Sequence, residues 1–321
     1  MTRALFSTDT KLENQERMFP LEMKSPLPSE ALFLRCQTDE ILRSKAKDLG
    51  KSFYHYTQAQ TVKKILQADS IGNHFFFVRN ISGMNDLNEA KLHEKNGNKI
   101  HSFCTCCSKH EKIPLWYLYS GICGNGARLG FSPGRMLRFL QSISVVYPVE
   151  NGQVNYALPL HKGEDFQLHC GWVYYLLDGN NRVAYRNKTY AIPPVDKDVL
   201  QKCFFVKDYP WEYEQEFRIV IQNKTAHVYD QIAIPIPEDI ISKLEIMSAP
   251  EQPFTSKEKE EFEALGIRPD KIKESTLGIH MNLLRNNRES ILDQLDQWCE
   301  ADRCDRICTY IRSKKKCVPQ R

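Results

Sequence analysis

The sequence predicts an α+β fold in which mixed central sheets are flanked by helices. Short runs rich in aromatic and β-branched residues recur through the middle of the chain, and segments with apolar residues at helical spacing lie around them. With 321 residues, 41% of them hydrophobic, the chain can bury a sizeable core. Because strands dominate the centre and helices lie mostly outside it, the pattern favours α+β.

The first half of the chain is predicted to begin with an arm and then to mix helices with strands. Residues 1–28 lack sustained periodicity and contain three prolines, so a poorly ordered arm is expected there. Helical spacing follows over 29–50, and Thr57 to Gln60 has the form of a capping box that opens a second helix. Strands are predicted at 51–56, 74–78 and 100–107, a turn with a short helix at 84–89, and an aromatic helix at 115–120.

The second half is predicted to contain most of the remaining strands. These lie at 127–131, 145–149, 216–222, 232–236, 243–247 and 271–279. Helical stretches are expected between 152 and 200, and a helix at 257–265. Residues 29–285 would form the main α+β domain, and residues 286–321 a C-terminal helix with a basic, cysteine-containing tail.

The composition limits the function classes. The 44 basic and 40 acidic residues give a net charge of +4, which by itself does not indicate a nucleic-acid partner. No signal peptide and no apolar run of about 18 residues is visible, so we expect a cytoplasmic protein without a membrane partner. The eleven cysteines are then expected to be reduced thiols. The sequence does not indicate an oligomeric state.

Two groups of cysteines raise the question of a metal site. Cys104, Cys106 and Cys107 lie near two histidines, but strand alternation sends Cys107 to the opposite face from the other two, which favours buried thiols. The C-terminal cysteines contain no C-x-x-C pair, so zinc remains the weaker alternative there. We therefore expect no metal. The basic residues of the tail are interpreted as a solvated helix end rather than a phosphate-binding surface.

A row of acidic residues is the first candidate for chemistry. If the segment is extended, Glu212, Glu214, Glu216 and Arg218 project from one face, while Tyr213, Phe217 and Ile219 face the core. Carboxylates this close raise one another's pKa, which favours a role in binding or catalysis. The alternative is a solvated edge strand whose charges prevent aggregation.

Two aromatic motifs are the other candidates. His55, Tyr56 and Thr57 lie where a strand meets a helix, a place where anionic ligands often bind, although a core histidine is the alternative. Trp116 and Tyr119 precede a glycine-rich turn and could form a stacking wall for a flat ring, although a plain core helix is the alternative.

Together these motifs resemble the bacterial family known as domain of unknown function 2971, over roughly residues 53–285. The matching pieces are Tyr54 to Thr57, Asn85-Asp86 with Glu89, Phe103-Cys104, Trp116 to Tyr119 leading into Gly126 to Phe131, Lys207 to Arg218, Leu244 to Met247, and Lys273 to Ser275. Leu87 stands where the family often has proline, which affects only the turn.

That family in turn resembles the ADP-ribosyltransferase superfamily, and this second resemblance implies a set of roles. NAD would be the co-substrate, Glu216 the catalytic carboxylate and Glu214 its helper toward the acceptor. His55 would hold the nicotinamide ribose, and Tyr56 or Tyr119 would flank the nicotinamide ring. Thr57, Trp116 and Arg218 complete the expected cofactor-binding residues. The carboxylate would stabilise the oxocarbenium-like centre that forms when nicotinamide leaves.

Three hypotheses follow for the function. The first is an NAD-dependent, ADP-ribosyltransferase-like enzyme or NAD glycohydrolase that acts on a macromolecular acceptor, protein or nucleic acid, as a toxin or phage-defence effector. The second is a non-catalytic module that binds a nucleotide or a protein in the same cleft. The third is a hydrolase that uses the acidic row with a metal.

Overall fold

The structure is a computed structural model that describes residues 38–81, 100–108, 110–119, 125–160, 165–177, 182–185, 188–191, 205–250 and 252–277. The chain divides into two compact units, Met1–Glu274 and Ser275–Arg321. The predicted N-terminal arm, the turn at 84–89 and the predicted C-terminal helix lie outside the described residues.

The described residues form one large sheet, one small sheet and short helices. The helices are α1 (Ala59–Leu66), α2 (Ile113–Tyr119), α3 (Pro133–Ser142), α4 (Glu238–Ile241) and α5 (Ser256–Ala264), with 3-10 helices at Ala46–Leu49, Tyr209–Glu214 and Pro269–Lys271. Residues 38–43 are also α-helical. The first eight strands are β1 (Phe53–Gln58), β2 (His74–Asn80), β3 (Ile100–Cys107), β4 (Gly126–Phe131), β5 (Val145–Glu150), β6 (Gln153–Val154), β7 (Leu158–Pro159) and β8 (Phe166–Trp172). The other eight are β9 (Tyr174–Leu177), β10 (Arg182–Tyr185), β11 (Lys188–Ala191), β12 (Val206–Asp208), β13 (Glu216–Asn223), β14 (Gln231–Ile236), β15 (Glu245–Ser248) and β16 (Ile272–Lys273).

Strand β3 is the branch point of the large sheet. One of its edges pairs along its length with β13, which pairs on its far side with β8. Its other edge is divided, because its C-terminal end pairs with β1 and its N-terminal end pairs with β2. The sheet continues from β1 through β4, β15 and β16, and from β2 through β14, β5 and β6. The strands β1 and β2 therefore separate near the middle of β3.

The main core fills one face of this sheet. Phe53 of β1, Phe103 of β3 and Phe217 of β13 point to the same side, and the Phe53 and Phe217 rings pack edge to face at 5.0 Å. Phe139 of α3 packs on Phe76 of β2 at 5.3 Å between centroids, so α3 covers part of this face. All five phenylalanines are almost completely buried. Burial on this scale is the main source of the fold's stability.

The small sheet contributes residues to the face of β13 that lies opposite the main core. Its strand order is β11-β10-β9-β12, and β12 runs parallel to β9. The chain passes directly from β8 into β9, and from β12 through the 3-10 helix Tyr209–Glu214 into β13. The two sheets are therefore connected twice beside the start of β13.

The structure confirms the mixed α and β content and a large mixed sheet flanked by helices, and it corrects several predicted elements. The described part of 152–200 contains strands where helical stretches were predicted. The capping box at Thr57 is wrong, because β1 continues to Gln58 and that N-cap makes no side-chain hydrogen bond. Helix α3 was not predicted, and the strand predicted at 271–279 is reduced to two residues within the described part.

Candidate functional site

The acidic segment is a turn followed by a strand, so the prediction of one continuous acidic row is wrong. Glu212, Tyr213 and Glu214 lie in the 3-10 helix Tyr209–Glu214, and β13 begins only at Glu216. Between them Gln215 adopts a left-handed backbone, with φ 45° and ψ 52°. The alternative, a solvated edge strand, is also wrong, since β13 is paired on both sides.

The turn brings two carboxylates to one ammonium group. The Nζ of Lys207, on β12, lies 2.6 Å from Glu214 Oε2 and 2.9 Å from Glu216 Oε2. The three side chains are at most 5% exposed. Charged hydrogen bonds in such a setting are strong, and breaking one would leave an uncompensated buried charge.

Arg218 fixes the orientation of Glu216 from the same strand face. Its Nε donates to Glu216 Oε1 at 2.6 Å, and its Nη2 donates to Glu216 Oε2 at 3.0 Å. Arg218 is completely buried, and its neighbours across the two adjacent strands are Gly171 and Cys104. A glycine and a cysteine at these positions leave room on the sheet for the long arginine side chain.

Backbone hydrogen bonds hold the turn in place. The Glu216 N–H donates to the Tyr175 hydroxyl at 2.8 Å, and the Cys107 N–H donates to the Gln215 carbonyl at 2.9 Å. A third bond runs from the Val173 N–H to the Glu216 carbonyl at 2.9 Å. A left-handed backbone costs energy in a residue other than glycine, and this set of bonds keeps Gln215 in that conformation.

The two glutamates have opposite protonation tendencies. Burial raises the pKa of Glu214 above its ordinary value, and although Lys207 opposes this effect the result remains a raised pKa. Burial acts on Glu216 in the same way, but the charges of Arg218 and Lys207 outweigh it and hold the pKa of Glu216 well below its ordinary value. These directions make Glu216 the ionised member of the pair and Glu214 the member that takes up a proton more readily.

Aromatic side chains lie next to the pair formed by Lys207 and Glu214. The Tyr119 hydroxyl donates to Glu214 Oε1 at 2.7 Å, and 37% of the Tyr119 surface is exposed. Trp211 and Tyr213 are half-buried, with ring centroids 6.2 Å apart, and the Lys207 ammonium lies 5.3 Å from the Trp211 ring centroid. Tyr119 therefore links the buried cluster to the surface.

The predicted site residues fall into two groups. Glu214, Glu216, Arg218 and Tyr119 come together in the cluster just described. His55 lies elsewhere: its ring packs 4.4 Å from that of Phe103, on the core side of the sheet, and its Nδ1 hydrogen-bonds the Cys104 carbonyl at 2.8 Å. It thus occupies the place where β1 and β2 separate, and burial lowers its pKa.

The remaining predicted residues lie on β1 and α2. The Tyr56 and Trp116 rings pack edge to face at 4.9 Å, and both residues are buried. The Lys112 N–H donates to the Tyr56 hydroxyl at 3.0 Å, and Trp116 Nε1 donates to Glu111 at 3.1 Å. Thr57 is half-buried on β1 opposite Ala127.

Sequence reasoning missed three members of the cluster. Lys207 and Tyr175 come from strands of the small sheet that were not predicted, and Cys104 was interpreted only as a buried thiol. Cys104 hydrogen-bonds Glu216, and burial together with the Glu216 charge raises its thiol pKa well above the ordinary range. Only the position of Lys207, at the start of the segment that ends at Arg218, hinted at its role.

No family model matches the chain, and neither the curated proteins nor the solved structures compared with it give a match. Within the described ranges, no group of three or more His, Cys, Asp or Glu side chains is arranged to hold a metal ion. No helix in the same ranges is long and apolar enough to cross a membrane.

Proposed function

We propose that the protein is an NAD-consuming, ADP-ribosyltransferase-like enzyme that modifies a macromolecular acceptor, with Glu216 and Glu214 as its catalytic carboxylates. One observation carries the proposal: the two carboxylates share the Lys207 ammonium, yet their pKa values move in opposite directions. Two neighbouring carboxyl groups with divided protonation states are typical of enzymes that separate charge stabilisation from proton transfer.

Glu216 supplies the fixed negative charge. When the bond between nicotinamide and ribose breaks, nicotinamide leaves with the bonding electron pair and positive charge develops at the ribose carbon. A carboxylate already held by Arg218 and Lys207 needs little rearrangement to stabilise that charge, which is the condition for electrostatic catalysis.

Glu214 supplies the proton transfer. An acceptor hydroxyl or amine forms the new bond to the ribose carbon and loses a proton, which Glu214 takes as a general base. Tyr119 donates a hydrogen bond to Glu214, which stabilises the ionised form that acts as the base, and Tyr119 itself is partly exposed. Trp211 and Tyr213, half-buried beside it, would stack on a flat ring.

A second candidate function, a binding module without catalysis, has its own supporting observation. Both oxygens of Glu216 already accept hydrogen bonds from cationic side chains. His55, which the resemblance assigns to the ribose, packs against Phe103 on the core side of the sheet. The catalytic proposal therefore makes no use of His55. A binding module is compatible both with the occupied oxygens of Glu216 and with the position of His55 on the core side.

The experiment that decides between the two functions is NAD turnover. The purified protein is incubated with labelled NAD and cell extract, and both nicotinamide release and label transfer are measured. Wild type should be active, and Glu216→Gln should lose about 10²- to 10³-fold, the size of effect seen when one preorganised electrostatic group is removed. Glu214→Gln is the second variant, in case the first does not fold.

Glu212→Gln is the matched control, because Glu212 lies in the same 3-10 helix and is half-exposed. It should keep wild-type activity, and circular dichroism should show that all the variants are folded. The proposal fails if wild type releases no nicotinamide with protein, DNA, RNA or water as the acceptor. Tight binding of NAD without turnover would favour the binding module.

A further inference from the structure

Arg128 is a buried cation outside the carboxylate cluster. It lies on β4, opposite Tyr56 of β1 on one side and Met247 of β15 on the other. Only 5% of its side chain is exposed, and its guanidinium carbon lies 4.0 Å from the Tyr54 ring centroid and 5.8 Å from that of Tyr56. Both tyrosine rings thus lie within cation-π distance of the guanidinium.

Among the described residues, the charge of Arg128 has little compensation from acidic side chains. Its ion-pair partner among the described residues is Glu245, with Nη2 and Oε1 separated by 3.9 Å, and the Glu245 side chain is 34% exposed. That separation is too long for a hydrogen bond. In the same part of the chain the buried Nε has no hydrogen-bond partner. Arg128 also hydrogen-bonds the Tyr56 side chain, so Nε is the donor left unpaired among the described residues. An unpaired donor on a buried cation is costly.

Glycine at position 130 makes the Tyr54 contact possible. A Cβ there would lie 3.2 Å from Tyr54 Cε1 and 3.2 Å from Glu245 Cβ, closer than side chains normally pack. The Tyr54 ring can therefore lie across β4 and reach Arg128. A guanidinium packed beside flat rings presents its donor-bearing edge in one direction, the arrangement suited to bidentate binding of a phosphate.

We propose that Arg128, beside the Tyr54 and Tyr56 rings, binds a phosphate group of the ligand. Lys112 adds to the positive charge nearby, since its backbone N–H bonds the Tyr56 hydroxyl and its charge acts with that of Arg128 on the Cys106 thiol. The phosphate site lies on the same sheet face as the carboxylate cluster, because Tyr54 pairs with Cys106 and Cys106 pairs with Glu216.

The site defines the ligand as a phosphorylated compound, and naming that compound as the diphosphate of NAD rests on the proposed function. Strand spacing of about 4.8 Å places β4 and β13 three strand intervals apart, roughly 14 Å. A dinucleotide is long enough to put its diphosphate near Arg128 while its nicotinamide ribose lies at Glu216. A phosphate ion alone would occupy only the Arg128 end.

Binding of inorganic pyrophosphate and of ADP-ribose, measured by titration calorimetry on the full chain, tests the proposal. Wild type should bind both, and Arg128→Gln should weaken each by at least about 10-fold. Arg128→Lys keeps the charge but loses the planar fork, so it should also bind more weakly. Arg138→Gln is the matched control, because Arg138 is 64% exposed and pairs with Asp239 at the surface. Acetate at equal ionic strength should not compete.

The outcomes separate this proposal from the catalytic one. If wild type does not bind pyrophosphate at millimolar concentration, or if both Arg128 variants bind it as wild type does, the phosphate site is wrong. Arg128→Lys covers the case in which Arg128→Gln does not fold. Pyrophosphate binding by Glu216→Gln at wild-type strength, with no NAD turnover by any form, would support the phosphate site and reject the catalytic proposal.

Discussion

Glu214 and Glu216 are separated by one residue, and both carboxylates contact the same ammonium group, that of Lys207. They reach it from different secondary structures, Glu214 from a 3-10 helix and Glu216 from β13. Between them Gln215 adopts a left-handed backbone at the end of the 3-10 helix. A continuous strand would place the two side chains side by side on one face, without a cation between them.

Replacing Lys207 with methionine should strongly destabilise the protein. The substitution keeps most of the side-chain volume but leaves two buried carboxylates facing each other. Among the described residues, Arg218 is then the remaining cation of the cluster. The free energy of unfolding at pH 7 should fall by about 3 to 5 kcal/mol, the range for breaking a buried ion pair on one side. Urea denaturation provides the measurement.

The control for this variant is Lys63→Met. Lys63 pairs with Glu261 at a more exposed position, with side chains 22% and 41% exposed, and should contribute less than about 1 kcal/mol. If the two lysine variants lose equal stability, the shared ammonium is not a strong element of the fold. A Lys207→Met protein as stable as wild type would mean that Glu214 is protonated without cost.

Substitutions of Gln215 should reveal the strain in the turn. Gln215→Gly removes the side chain but accepts a positive φ, whereas Gln215→Val also removes the polar group and resists that backbone. The free energy of unfolding of Gln215→Val should therefore be lower than that of Gln215→Gly by at least about 1 kcal/mol. Thermal unfolding measures the difference, and equal stability of the two variants would show that the left-handed conformation is not required.

Much of the fold could be predicted from the sequence where strands are long and rich in apolar residues. The predicted bounds of β3 are correct, and those of β13 differ by one residue, because both strands are eight residues long and mostly buried. The strands of the small sheet were missed. They are short, and β12 joins β9 through a parallel pairing between distant segments, which no local pattern can show.

The site was predicted only in part, and two residues explain what the sequence did not show. Gln215 is neither glycine nor asparagine, so its residue type does not indicate a left-handed backbone. The segment was therefore interpreted as extended. Lys207 is seven residues before Glu214 and was not associated with it, although their side chains bond at 2.6 Å. Arg218 was predicted, but the part that Lys207 plays in the cluster is visible only in the tertiary structure.

His169 should make the stability depend on pH below neutrality. Burial lowers its pKa in the folded protein to about 4, from the ordinary 6.5. The unfolded chain therefore takes up a proton at higher pH than the folded protein, and stability is lost as pH falls from about 6.5 to 4. For this almost buried side chain the loss is about 3 kcal/mol.

His169→Gln should flatten this pH dependence while preserving a polar contact with Gln222. Urea midpoints measured between pH 4 and 7 provide the readout. Burial also lowers the pKa of His55 and His101, so part of the slope should remain. His227→Gln, at a side chain 60% exposed, is the comparison, and an equal flattening there would contradict the assignment to His169.

Tyr119→Phe should shift the pH dependence of the proposed reaction. The Tyr119 hydroxyl stabilises the ionised form of Glu214, so its removal raises the pKa of Glu214 further above the ordinary value. Glu214 as a base must be ionised, and the acid limb of the rate profile should therefore move to higher pH. At pH well above that limb the Tyr119→Phe rate should approach the wild-type rate.

Two measurements distinguish this effect from a loss of structure. The profile of nicotinamide release against pH gives the position of the acid limb, and a carbon NMR titration of Glu214 gives its pKa without reference to activity. Tyr209→Phe is the matched control, because Tyr209 is 45% exposed at the start of the same 3-10 helix. If the acid limb of the Tyr119→Phe rate profile stays in place or moves to lower pH, Glu214 is not the base. A uniform fall in rate at every pH would instead assign Tyr119 to substrate binding.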